Sequence, residues 1–281
     1  MPDDTRLKTA EFRRWHKAGQ PAILPCAWDV ASAKVFETEG FPAIGTTSAG
    51  VAASLGYADG QKIAFSEYLH LIGRIVVSVR VPVSVDFEGG YSETIEGVAT
   101  NVRLVLEAGA VAVNIEDENH FRSPGPLLEP VDHMVRKIEA IRAVGRELSL
   151  DIFVNAKSDA AWLSAGRNEK ESLDEAIRRA NAYGDAGADC VFIPGNFDED
   201  TIAEMVKSVR HPLNIVMKAT TPPIARLREI GVKRLSMGSG PMRAALGQTR
   251  AVARELRESG TYEGCRRMEI PYREVQSLFE N

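Results

Sequence analysis

The chain predicts an α/β fold, a (β/α)8 barrel of TIM type, and three observations carry that expectation. Short β-branched runs alternate with longer helical patterns, and eight such pairs can be counted. Three helices stop in the same phrase, LEAGAVAV, GDAGADCVFI and REIGVKRLSM, each with a glycine at the stop and a strand directly after it. No GxGxxG turn and no GxxxxGK[ST] loop follows any strand, which disfavours the alternative of a doubly wound open sheet.

In chain order, an extra helix over 5–18 closes the barrel bottom. The first strand is AILPCAWD (22–29), and its helix ends at Gly40, a C′ glycine. The second strand, 43–48, is followed by a glycine-containing loop through 61 and then the helical stretch FSEYLHLIGRIVVSV. Strands three and four span 81–88 and 110–117, joined by the helix TIEGVATNVRLVLEAG. After ENHFRSPGPL comes another helix, then strands at 151–159, 189–195, 213–219 and 233–239. Parallel neighbours need helical crossovers, which these intervals supply. Residues 1–281 thus read as one barrel domain, with 262–281 a C-terminal extension that the barrel does not need. Its apolar Ile270, Val275, Leu278 and Phe279 call for a partner surface, either the chain's own barrel or another subunit.

A length of 281 residues suits one α/β barrel, which routinely takes about 200–250 residues. With 44% hydrophobic and 26% charged residues the chain can bury a full core. A net charge of -5 offers nothing global to a phosphate backbone, so nucleic acid is excluded as an expected partner and a small molecule fits better. Cys26, Cys190 and Cys265 show no zinc spacing and no disulfide framework, which suits a reducing cytoplasm. The first twenty residues carry charges throughout and lack the apolar stretch of a secretory leader. No run of about eighteen apolar residues exists to span a membrane.

In a barrel of this type the C-terminal strand ends build the active site. Strand three ends in Asp86-Phe87-Glu88 and strand four in Glu116-Asp117-Glu118, with Asp59 in the loop after strand two. Alternation places Asp86 and Glu88 on one face. Converging carboxylates repel and raise one another's pKa, so a hard divalent cation is the natural neutraliser. Mg²⁺ is the expected ion, with Mn²⁺ a possible substitute; Asp86 would bind it directly while Glu88, Glu116 and Asp59 act through water. The competing reading is a set of helix N-caps and loop acids. Trp28 could wall the pocket or pack in the core.

The fragments GTTSAGVAASLGYADG, VDFEGGY, NIEDE, VNAKSD, DCVFIPG, PLNIV and GVKRLSMGSG, in this order on the strand ends, resemble the isocitrate lyase and phosphoenolpyruvate mutase superfamily over roughly 20–260. The resemblance implies a Mg²⁺-dependent barrel acting on small 2-oxo or 2-hydroxy acids through an enolate, assembled as a homotetramer whose terminal helices are swapped within dimers. It implies that Thr47, Ser48 and Ala49 hold the substrate carboxylate and enolate oxygen, that Asn214 bonds the distal carboxylate, and that Lys157, where the family usually has Arg, binds a carboxylate. Lysine offers a compact single charge where arginine would grip bidentately, so the substrate geometry is expected to differ. Ser236 and Ser239 are read as structural.

The loop after strand four departs from each subgroup. Isocitrate and methylisocitrate lyases resemble KKCGH there and phosphoenolpyruvate mutases EDKxxPKxNS, whereas this chain has ENHFRSPGP. Glu118, His120 and Arg122 remain, His120 as a candidate acid and Arg122 as a candidate carboxylate clamp; a solvated lid loop is the alternative. The retained residues suffice for chelation, stabilisation of negative charge and a later protonation. The expected activity is therefore a Mg²⁺-dependent C–C lyase releasing pyruvate or a similar 2-oxo acid, resembling oxaloacetate decarboxylases. P–C chemistry on phosphonopyruvate and a barrel that binds 2-oxo acids without turnover are the alternatives.

Overall fold

The computed structural model describes residues 3–121, 127–164 and 168–280. Nine strands, all parallel, run in the order β1-β9-β8-β7-β6-β5-β4-β3-β2. They are β1 Ala22–Leu24, β2 Cys26–Ala27, β3 Ile44–Thr46, β4 Val83–Asp86, β5 Ala112–Glu116, β6 Phe153–Lys157, β7 Cys190–Phe192, β8 Leu213–Val216 and β9 Arg234–Ser236. The extra strand is a split one. Pro25 has no N–H for the ladder, so the predicted first strand divides, β1 pairing with β9 and β2 with β3. The carbonyl of Pro25 still accepts from Gly45 N at 2.7 Å. Because β1 and β2 are successive stretches of chain, the strand order closes on itself and the eight predicted units form a barrel.

Helix α1 (Asp3–His16) precedes the barrel, as expected for 5–18. Helices α2 (Val30–Thr38), α4 (Phe65–Ser78), α5 (Ile95–Glu107), α6 (Val131–Glu147), α7 (Glu169–Asp185), α8 (Glu199–Ser208) and α9 (Ile224–Ile230) lie between strands. In α4 the buried Tyr68, Ile72, Ile75 and Val76 recur at helical spacing, so one apolar face meets the sheet. The repeated stop phrase does its work: Gly109, Gly187 and Gly231 have φ of +100°, +107° and +105°, the left-handed turn that sends a helix back into a strand. One expectation fails. Part of the presumed loop after strand two is helix α3 (Ser48–Ser54), because its three alanines favour helix and Val51 and Ala52 are buried in the core.

Alternation along the strands gives the barrel two kinds of surface. Val83, Val85, Val113, Ile115, Val154, Ile215 and Leu235 join the large apolar cluster with the helices. The intervening residues point inward, and a second small cluster of Phe12, Leu24, Ala43, Val111, Ala112, Phe153 and Cys190 fills the N-terminal end under α1. Past β9 the chain continues as α10 (Gly240–Ser259), α11 (Glu263–Met268) and α12 (Tyr272–Ser277). Of α10 only Met242 is buried, and α11 and α12 have no buried residue. Among the described residues no helix is long and apolar enough to cross a membrane.

Candidate active site

At the C-terminal end of the barrel a cavity of about 160 Å³ is lined by Thr47, Ser48, Ala49, Asp59, Asp86, Asn114, Lys157 and Asp159 among others. Asp86 closes β4, and its Oδ2 accepts from Ser48 N at 2.9 Å while Oδ1 takes a longer bond from Asn114 Nδ2 at 3.4 Å. The N-cap of α3, Thr47, makes no side-chain cap bond, so Asp86 serves that helix start from another strand. Thr46 Oγ1 accepts from Asp86 N at 2.9 Å and the Tyr68 hydroxyl donates to its carbonyl, which fixes the backbone of the strand end.

Glu88 reaches the site by a different route from simple alternation. The strand stops at Asp86, and Glu88 sits at φ +47°. Two of its partners share that unusual backbone region: Gln61 at φ +55° and Tyr91 at φ +56°. Gln61 N donates to Glu88 Oε2 at 2.8 Å, the Tyr91 hydroxyl donates to Oε1, and Gln61 Oε1 accepts from Tyr91 N. Three left-handed non-glycine residues closing one hydrogen-bonded ring are backbone strain held in place by the surrounding fold. Gly89 and Gly90 follow, and the buried Lys137 Nζ donates to Gly89 O at 2.8 Å and to Glu129.

Glu116 is the hub of the charges. Lys157 Nζ lies 2.5 Å from its Oε2 and 2.9 Å from Asp159 Oδ1, and His120 Nε2 lies 2.8 Å from Glu116 Oε1. Burial opposes ionisation of Glu116, yet Lys157 and His120 together hold its carboxyl below the usual range. Burial likewise works against charge on Lys157 and is overridden by Asp159 and Glu116, so the ammonium is kept. For His120 burial is again opposed, by the hydrogen bond and charge of Glu116, and the imidazole is raised above its ordinary value. Burial and the charge of Glu116 push Glu88 up to about 8. Asp86 is raised by the same two causes. Behind these groups Asp117 is fully buried, accepting from Tyr183 OH at 2.6 Å, Arg179 Nη1 at 3.1 Å and Asp159 N at 2.8 Å.

The structure brings together Asp59, Asp86, Thr47, Ser48, Ala49 and Lys157 on the cavity, with Glu88, Glu116, Glu118 and His120 clustered beside it. It does not bring Trp28 or Asn214 to that lining. Trp28 packs against the α3 segment, where its Cβ would sit 2.6 Å from a side chain at Gly50. Asn214 is fully buried with its amide engaged by Ser236, Nδ2 to Oγ at 3.0 Å. Trp162 takes the aromatic place, and Ser236 and Ser239, read as structural from sequence, line the cavity. Arg234, Lys218 and Cys26 also line it; the signal that could have found the first was its inward position on a strand, two before Ser236. Arg122 lies outside the described residues.

The ligand atoms of Glu88, Glu116 and His120, and separately of Glu116, Glu118 and Asp159, lie within 4.8 Å of one another. The donor set is dominated by carboxylate oxygens, and burial together with the charge of Glu116 keeps Glu88 largely protonated at neutral pH. Both features fit a hard divalent cation. The acids are not caps of their own following helices, since Thr94 and Pro130 occupy those positions.

The family model described as phosphoenolpyruvate phosphomutase matches residues 12–257. The chain belongs to this family. An uncharacterized protein of Mycobacterium tuberculosis is 36% identical over 266 residues, covering 95% of each chain. The 2-methylisocitrate lyase of Aeropyrum pernix is 33% identical over 249 residues, covering 85% of this chain and 76% of its own. Among solved structures, a phosphonopyruvate hydrolase complexed with oxalate and Mg²⁺ superposes with a TM-score of 0.83, at 26% identity, over 96% of this chain and 94% of the other. These matches place the chain in the isocitrate lyase and phosphoenolpyruvate mutase superfamily, as the strand-end fragments imply.

Proposed function

We propose that this protein is a Mg²⁺-dependent lyase that cleaves a C–C bond of a small 2-oxo or 2-hydroxy carboxylic acid and releases pyruvate or a similar 2-oxo acid. The observation that carries the reading is the convergence of Asp86, Ser48, Lys157 and Asp159 on one cavity beside the Glu88, Glu116 and His120 cluster. A lyase and a phosphonopyruvate hydrolase among its relatives support activity on small carboxylic acids. Mg²⁺ held by Asp86, with Glu88, Glu116 and Asp59 through water, would supply Lewis acidity toward the substrate's oxygens.

The chain's own residues do the rest. Ser48 N–H keeps the Asp86 carboxylate oriented, and the small residues at the start of α3, Thr47, Ser48 and Ala49, let a substrate approach the backbone closely. Lys157 remains charged in its half-buried position and attracts the substrate carboxylate, while Glu116 and Asp159 fix where its Nζ sits. His120 holds a proton against Glu116 and serves as donor to the carbanion left by bond cleavage, with Glu118 the other candidate donor and Arg122 a candidate clamp for a substrate carboxylate. The exposed apolar residues Met268, Ile270, Tyr272 and Phe279 of the 262–281 extension suit packing on a second copy of this chain, in a homotetramer.

The test is turnover of oxaloacetate, methylmalates, methylisocitrate and phosphonopyruvate with Mg²⁺ and with EDTA, products being identified by mass spectrometry. An EDTA-sensitive 2-oxo acid from a carbon substrate is the expected result. Phosphate from phosphonopyruvate would move the assignment to P–C cleavage, and binding without any product would make the protein a 2-oxo acid receptor.

A further inference from the structure

The inside of the barrel holds a cation that the proposed chemistry does not use. Arg234 opens β9 with its side chain directed inward, opposite in sense to Leu235, which joins the outer apolar cluster. It is 2% exposed, yet its guanidinium is almost without acceptors. Nη2 makes one long bond to Ser84 Oγ at 3.4 Å, and Nε and Nη1 have no hydrogen-bond partner. Among the described residues no carboxylate is within ion-pair distance of it. Asp86, whose charge acts on Arg234 across the barrel's polar interior, is turned to Ser48 and Asn114. The other interior neighbours, Cys26, Cys190 and His16, are all neutral in the fold, with both thiols raised and the imidazole lowered by burial.

A buried guanidinium with two unpaired donors is costly, and an anion brought to it from the cavity would offset that cost. Arg234 lines the same cavity as Lys157, below the strand ends and next to Ser84 and Ser236. Its free Nε and Nη1 point to different sides of the guanidinium and are two open, charged donors for the oxygens of an anion. We propose that Arg234 forms a second anion subsite at the cavity floor, so that the substrate is a diacid with one carboxylate at Lys157 and the other at Arg234. This deepens the lyase reading and rests on it for the word substrate; the subsite itself does not need turnover. It also accounts for the absence of Asn214 from the lining, since the distal carboxylate would be met by Arg234 instead.

The experiment is calorimetry on the full chain in EDTA with succinate and with butyrate, which has the same length and one carboxylate fewer. Wild type is expected to bind succinate about tenfold or more tighter, the effect of a charge-assisted pair. Arg234→Gln should abolish that preference and Arg234→Lys restore part of it. A preference unchanged in Arg234→Gln, or none in wild type, overturns the proposal. Should Arg234→Gln fail to fold, wild-type crystals soaked in selenate decide the matter: an anomalous peak at hydrogen-bond distance from Nε or Nη1 supports the subsite, and no peak there overturns it. Loss of turnover in the substrate panel with the succinate preference intact would count against the lyase and leave the subsite standing.

Discussion

At the N-terminal end of the barrel, Phe12 of α1 meets Phe153 edge to face at 5.2 Å, and the His16 ring lies 4.3 Å from Phe153. At the C-terminal end, Glu88, Lys157 and His120 lie within a few ångströms of Glu116, and Asp86 lines the adjoining cavity with Lys157. Both ends are formed by inward residues of the same short strands. The first keeps water out by packing. The second gathers charges of both signs around Glu116, while burial and repulsion from Glu116 push Asp86 and Glu88 toward the neutral form. The contrast teaches a division of labour: the floor contributes stability and the mouth accepts instability in return for chemistry.

The largest expected effect separates the two ends. Asp86→Ala should lower turnover by about a thousandfold or more while the folded state persists, as read by product formation and circular dichroism. Retained activity would sink the site assignment. Phe153→Ala should do the reverse, lowering stability by about 3–5 kcal/mol in urea with kcat per folded molecule unchanged. A floor variant that lost turnover while remaining folded would break the comparison.

Next in size is a pH effect at the floor. Burial, with the charge of Arg234, lowers His16 from 6.5 to about 3. The unfolded chain therefore takes up a proton that the folded chain refuses. Stability is full above pH 6.5 and falls as pH drops from there toward 3, by on the order of a few kcal/mol. His16→Phe should flatten this acid limb in urea titrations, and an unchanged limb would show that the ring is not held neutral. At the mouth the sign inverts. Glu88 is raised to about 8 from 4.5, so the metal-free protein loses stability as pH rises through that window. Glu88→Gln should raise metal-free stability at pH 8 by on the order of 1 kcal/mol, and an unchanged or lower value would refute the repulsion.

Periodicity made the barrel legible, because helix and strand patterns are local and the glycine stops repeat at Gly109, Gly187 and Gly231. It could not show that Pro25 divides the first strand or that Ser48–Ser54 is helical, since both depend on which backbone groups find partners. The acids were legible because strand ends in this fold converge. The left-handed turn that delivers Glu88 was not, since a Glu there disobeys local preference and only the Gln61 and Tyr91 contacts hold it. Arg234 was passed over for the opposite reason: a charge inside a strand reads as solvent-facing until the alternation is anchored by Leu235.

Gln61, Glu88 and Tyr91 each occupy a backbone region that glycine would adopt with less strain. A population of variants selected for heat resistance alone would be drawn toward glycine at all three, and each step would remove a side chain that holds the acid cluster. Selection for the chemistry pulls the other way. The ring thus trades local backbone comfort for the side chains that hold the acid cluster.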